Sequence, residues 1–149
     1  MALTIEQAID SVYLAAKTAW EADPLTTGVE IYYDETPKKL QPSDNATDKE
    51  TTPMVKFTAD IIGASQATLG STGNRRFRRT GVLTVVIYTP IDKGRLDEDR
   101  FVKIVFDALE GECTPEGVEL FAITPLAGFD VGAYRVKQLN VEFEYDEIK

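Results

Sequence analysis

The chain contains no histidine, and that single absence narrows its chemistry more than any motif in it. Without imidazole there is no general base poised near neutral pH, no Ser-His or Cys-His pair, and no usual zinc ligand. Cysteine is almost as scarce. Cys113 stands alone, with no partner for an intramolecular disulfide and no imidazole to activate its thiol, and reads as a small residue ahead of a strand. No apolar run approaches membrane-spanning length, and the opening MALTIEQAIDSV lacks a basic segment followed by an apolar core. The expectation is a soluble protein made inside the cell, with no membrane partner. Positive charge is also in short supply: 16 Lys and Arg against 25 Asp and Glu leave a net charge of −9. A surface of that sign repels a duplex, which disfavours general nucleic-acid affinity and suits a protein that lets DNA pass without gripping it.

Motifs that would carry chemistry are missing too. The glycine-rich stretch from Gly63 to Asn74 lacks the lysine of a phosphate loop, since Gly70 is followed by Ser71 and Thr72. Asp92, Asp97, Glu98 and Asp99 surround Gly94 without the alternating oxygen ligands of a calcium loop; helix capping and a solvated first turn explain them better. No carboxylate pair is singled out by an apolar setting. The residues therefore point to no catalytic, cofactor-binding or metal-binding site, and to a protein that is not an enzyme.

What the chain does have is concentrated between Leu69 and Pro90, LGSTGNRRFRRTGVLTVVIYTP. Arg75, Arg76, Arg78 and Arg79 flank Phe77, at the root of a strand expected over Val82 to Tyr88. Leu83, Val85 and Ile87 fall on one face of that strand, and Val82, Val86 and Tyr88 on the other. Apolar residues on both faces mark a strand covered on both sides.

Around it the spacing predicts an α+β domain spanning residues 1–149, with the order α-β-β-β-α-β-β: a mostly antiparallel sheet of about five strands and two helices packed on one face. Thr4 and Gln7 form a capping box for a first helix, whose stripe is Ile5, Ala8, Ile9, Val12, Tyr13, Ala16, Ala19 and Trp20, with Trp20 as its core anchor. Strands follow at Val29 to Tyr33 and Pro53 to Ile62, separated by a polar loop, Asp34 to Thr52, that reads as a mobile arm. The second of these strands and Val82 to Tyr88 make a long hairpin. After a turn at Asp92 to Gly94, Asp97 is placed to cap a second helix with Phe101, Ile104, Val105, Ala108 and Leu109 inward. Val118 to Ile123 and Tyr134 to Tyr145 complete the sheet. The last strand changes phase, and a β-bulge near Lys137 and Gln138 would bring Tyr134, Val136, Leu139, Val141, Phe143 and Tyr145 to one side. Asn140, Glu142, Glu144 and Asp146 then form an acidic stripe on the other.

Four arginines offer planar forks that pair bidentately with carboxylates, so a docking surface for an acidic protein is the reading preferred over a solvated hairpin end or a base-stacking site at Phe77. Leu69-Gly70, Gly73-Asn74, the arginines, Gly81-Val82-Leu83, Tyr88-Thr89-Pro90 and Lys93-Gly94 before a helix resemble the central block of bacteriophage tail terminator-like proteins. That resemblance implies a non-enzymatic virion protein of the tail and neck, assembled in the host cytoplasm. It would form a ring, commonly of six copies in long-tailed phages, that caps the tail tube protein and presents a face to the head connector or stopper, with DNA passing through its lumen. A ring needs two different patches that meet head to tail. Candidates are the Arg75 to Arg79 patch and the Glu142, Glu144 and Asp146 stripe as complementary charges, and Val82, Val86 and Tyr88 as an apolar contact. The alternatives are a single-stranded nucleic-acid-binding module using Phe77 and its arginines, and another neck or tail-tube protein of similar fold.

Overall fold

The computed structural model describes residues 3–26, 29–33, 53–91, 96–132 and 134–149; the loop 34–52 and the turn at Asp92 to Gly94 lie outside them. Helix α1, Ile5–Glu21, starts at the expected capping box, in which the Thr4 side chain takes the Gln7 amide and the Gln7 side chain returns to Thr4. Its inward stripe is Ala8, Ser11, Val12, Ala16 and Trp20, whereas Ile5 is exposed. Small residues let the helix lie close to the sheet, and Trp20 closes the far end with its ring edge-on to Phe57 at 6.4 Å and tilted on Phe101 at 5.3 Å. A buried aromatic of this size is worth roughly 3–5 kcal/mol against alanine.

The sheet has the order β1-β2-β3-β6-β4, with a short β5 also on β6. The strands are β1 Glu30–Tyr33, β2 Met54–Gln66, β3 Arg76–Pro90, β4 Glu119–Pro125, β5 Phe129–Val131 and β6 Tyr134–Ile148. The expected α+β architecture stands, with two helices on one face, and β5 is the addition. Strand β1 runs parallel to β2, from Glu30↔Met54 to Tyr33↔Phe57. The long connection 34–53 permits this, because parallel neighbours need a crossover of a dozen or more residues.

Every other pairing is antiparallel, and residues opposite one another share a face. Val55, Phe57, Leu83, Val85, Ile87, Leu139, Val141, Phe143 and Tyr145 form the face under the helices, each no more than 2% exposed. Helix α2, Leu96–Leu109, closes this core with Phe101, Val105 and Leu109, and ends at Gly111, whose positive φ of 74° suits glycine alone. Asp97 lies inside the helix, one residue past its first, so it supports the positive N-terminal end from within the first turn. Glu98, expected in water, is 1% exposed. Its carboxylate meets the Arg135 guanidinium at 2.7 Å, joining α2 to β6.

The β3–β6 ladder runs from Arg76↔Ile148 to Pro90↔Tyr134 without a shift, so the bulge expected near Lys137 and Gln138 is absent. Tyr134 and Val136 instead lie on the face away from the helices, next to Tyr88, whose ring meets Tyr134 edge-on at 6.2 Å. The helix-side positions they give up are Lys137 and Arg135, and Arg135 is the partner of Glu98. Register shifts occur elsewhere, between Ile61 and Gly63 in β2 and between Leu120 and Ile123 in β4.

At the centre of this ladder Gly81 sits beneath Phe143. A Cβ there would come within 2.3 Å of the ring and 2.7 Å of the Asp60 carbonyl oxygen. Gly81→Ala is therefore expected to destabilise the fold by roughly 1–3 kcal/mol. Thermal denaturation measures this loss, and Phe143→Leu in the same chain should recover part of it.

Candidate assembly surface

Two features outrun what the core needs: a projecting hairpin and a sheet face that the helices leave free and on which Val82, Val86 and Tyr88 are only half-buried. Along β2 the side chains pass from buried at Val55 and Phe57 to exposed from Ile62 onward, and every residue from Ile62 to Arg76 is exposed. Strand β3 begins at Arg76, so Arg76, Phe77, Arg78 and Arg79 are strand residues, where the sequence reading placed them ahead of it. The end of β6 supports this arm, and the chain closes on it through reciprocal backbone bonds between Arg75 and Lys149 of 3.0 and 2.9 Å. The tip turns through Gly73, whose φ is 93°.

The ladder decides which charges meet. Arg78 faces Asp146 and Thr80 faces Glu144, so the arginine patch and the acidic stripe are neighbours within one chain. Asp146 takes Arg76 and Arg78 together, the latter through Nε at 3.2 Å, and Arg78 Nη1 lies 3.8 Å from Glu144. These residues lie on the face away from the helices. On the other face Arg79 Nε donates to Glu147 at 2.8 Å, and its guanidinium lies 5.5 Å from the centre of the Phe77 ring. Lys149 reaches the second Glu147 oxygen at 3.4 Å. Arg75 bonds the Gly70 carbonyl across the tip at 3.0 Å. The cluster is thus largely neutralised by its own cross-strand carboxylates.

Glu147 did not enter the sequence reading, although a signal for it exists. It continues the buried phase of Leu139, Val141, Phe143 and Tyr145, and a carboxylate in that phase demands a cation nearby.

The face away from the helices is banded. Met54, Tyr88 and the buried Val136 make an apolar row at the end remote from the arm, and Val86 follows it between Lys56 and Gln138. Thr58, Thr84 and Asn140 make a polar row in the middle, and Asp60 and Glu142 flank Val82 beyond it. Val82, Val86 and Tyr88 are half-buried there, as their phase requires, while Leu83, Val85 and Ile87 are fully buried beneath the helices. Burial pushes the Tyr88 phenol above its ordinary pKa, so it remains a neutral hydrogen-bonding group at any physiological pH. Cys113 is a free, exposed cysteine that forms an isolated bridge to Glu119 at the margin of β4. No helix among the described residues is long and apolar enough to cross a membrane.

No protein-family model matches this sequence, and no curated protein sequence matches it either. The fold recurs among solved structures. One chain, 10% identical to this one, superposes with a TM-score of 0.57 over 94% of both chains; it carries a sequence label as its name, and the likeness is one of fold alone.

The Arg76 and Arg78 bonds hold Asp146 below the ordinary carboxylate range against a smaller opposing effect of burial. A depressed folded pKa contributes stability above the unfolded value and loses it as pH falls through the folded one. The arm is therefore expected to loosen on acidification below the usual carboxylate range, seen as faster amide exchange in Arg76 to Thr80 and Glu144 to Ile148. Asp146→Asn should remove that contribution at neutral pH as well, at a cost of about 0.5–1 kcal/mol for so exposed a network.

Proposed function

We propose that this chain is a tail terminator-like subunit: a virion protein that self-associates into a ring on the completed tail tube, stops its polymerisation and offers a docking face to the head. The observation that carries the proposal is β3. It places Val82, Val86 and Tyr88 on the face opposite Leu83, Val85 and Ile87, and the two helices cover only the latter. A neighbouring subunit is the natural second cover, with Val82, Val86 and Tyr88 at the contact and Glu142 beside them. The acidic balance of the chain supports a lumen that repels DNA.

The internal pairing of the arginines refines the docking idea. Arg76, Arg78, Glu144 and Asp146 present a fixed lattice of alternating charge, so a partner meets oriented hydrogen-bonding groups in place of a bare positive patch. The same pairing gives the docking reading more weight than the nucleic-acid one, since Arg79 lies against Phe77 and carboxylates occupy three of the four arginines.

Negative-stain microscopy of the purified protein with and without tails tests the proposal. Rings on tail ends are expected, and particles lacking the protein should carry overlong or headless tails; a persistent monomer that never binds tail ends would overturn it. Reversing all four charges, Arg76→Glu and Arg78→Glu with Glu144→Arg and Asp146→Arg, keeps every internal pair and the net charge. It is expected to lower head joining at least tenfold while moving the midpoint of thermal unfolding by less than about 4 °C. Unchanged joining would return these residues to a purely structural role.

A further inference from the structure

The residues from Ile61 to Asn74, IIGASQATLGSTGN, contain no charged side chain, in a chain of which 28% is charged. They form the end of the arm, where Leu69 is 93% exposed and Ile62 63% exposed. Edge strands and loop tips that stay in solvent are ordinarily guarded by lysine or proline, and this one has neither. At the other end of the molecule an open groove of about 480 Å³ lies between the end of α1 and the flank of α2. Its floor is Ala19, Ala22, Leu25, Ile104 and Ala108. Arg100 and Lys103 are balanced at its rim by Asp23 and Asp107, and Lys103 is tied to Asp107.

The topology sets these two surfaces apart. Helix α1 begins at the arm, where the Leu3 amide donates to the Asp146 carbonyl at 3.2 Å, and ends with Trp20 against Phe57. From Phe77 at the root of the arm to Val85, the partner of Phe57, β3 covers roughly 26 Å at about 3.3 Å per residue. The tip cannot reach its own groove. Two copies of a chain at −9 repel one another overall, and an uncharged tip and a groove whose rim sums to zero are surfaces on which they approach without adding to that repulsion.

We infer that the hairpin tip, with Leu69 at its centre, seats in the groove between α1 and α2 of a second copy of this chain. The contact is heterologous, a tip on one subunit and a groove on the next, which is the arrangement that closes rings. It deepens the ring reading and rests on it, since it names the patches through which the subunits join.

Disulfide trapping tests the contact in the free protein. In a Cys113→Ser background, chains carrying Leu69→Cys are mixed with chains carrying Leu25→Cys, and the control mixture replaces Leu25→Cys with Leu14→Cys, on an exposed face of α1 outside the groove. The tip and groove pair is expected to cross-link at least tenfold faster than the control. Equal rates, including the case in which the tip cross-links to both, would overturn the inference. A second measurement separates it from the ring reading. Leu69→Asp, at a side chain that touches almost nothing, should leave thermal unfolding unchanged and abolish rings on tail ends. Rings that persist in Leu69→Asp would overturn the tip contact and leave the ring standing, whereas a wild-type chain that forms no ring would remove both.

Discussion

The register between β3 and β6 is the constraint on which the rest of the molecule depends. Fifteen residues of each strand face one another without a shift. A slip of one position would turn Glu142, Glu144 and Asp146 toward the helices and Leu139, Val141 and Phe143 into water. The core opposes such a slip in the interior of the ladder, where Phe143 covers Gly81. The cross-strand bonds of Arg76, Arg78 and Arg79 oppose it at the arm end. Apolar burial and charge pairing therefore specify the same alignment by independent means, and the arm inherits its geometry from the core.

The parts of this fold that rest on local pattern were legible in the residues. Thr4 and Gln7 announce the start of α1, Trp20 its anchor, and the alternation in β2 and β3 the face beneath the helices. The parts that depend on a distant partner were not. Glu98 looks like any acid in the first turn of a helix until Arg135 is brought to it from another strand. The phase change in β6 admits two explanations, a bulge or a second apolar patch, and only the unbroken ladder to β3 decides for the patch around Tyr88, Tyr134 and Val136. The parallel placement of β1 was equally hidden, since a long connection allows either direction.

The candidate surface divides along the same line. Its residues were readable as a list, and their faces followed from parity, so Val82, Val86 and Tyr88 lie where alternation puts them. Their mutual pairing was not readable. Sequence separation between Arg78 and Asp146 hides a direct cross-strand contact, and charges that look like two halves of a bond between copies are already joined within the chain. The described surface of low charge is the bare tip of the hairpin and, on the open face, the half-buried Tyr88 with Met54 beside it.

The arm also has a mechanical character. Both of its supporting strands, β3 and β6, run on into the centre of the sheet, and their hydrogen bonds lie across the direction in which the arm projects. A pull on the tip therefore loads the whole ladder in shear, many bonds at once, in contrast to a hinged loop that yields one bond at a time. The hairpin behaves as a stiff strut, and a load applied at Leu69 is delivered directly to the packing of Gly81 beneath Phe143.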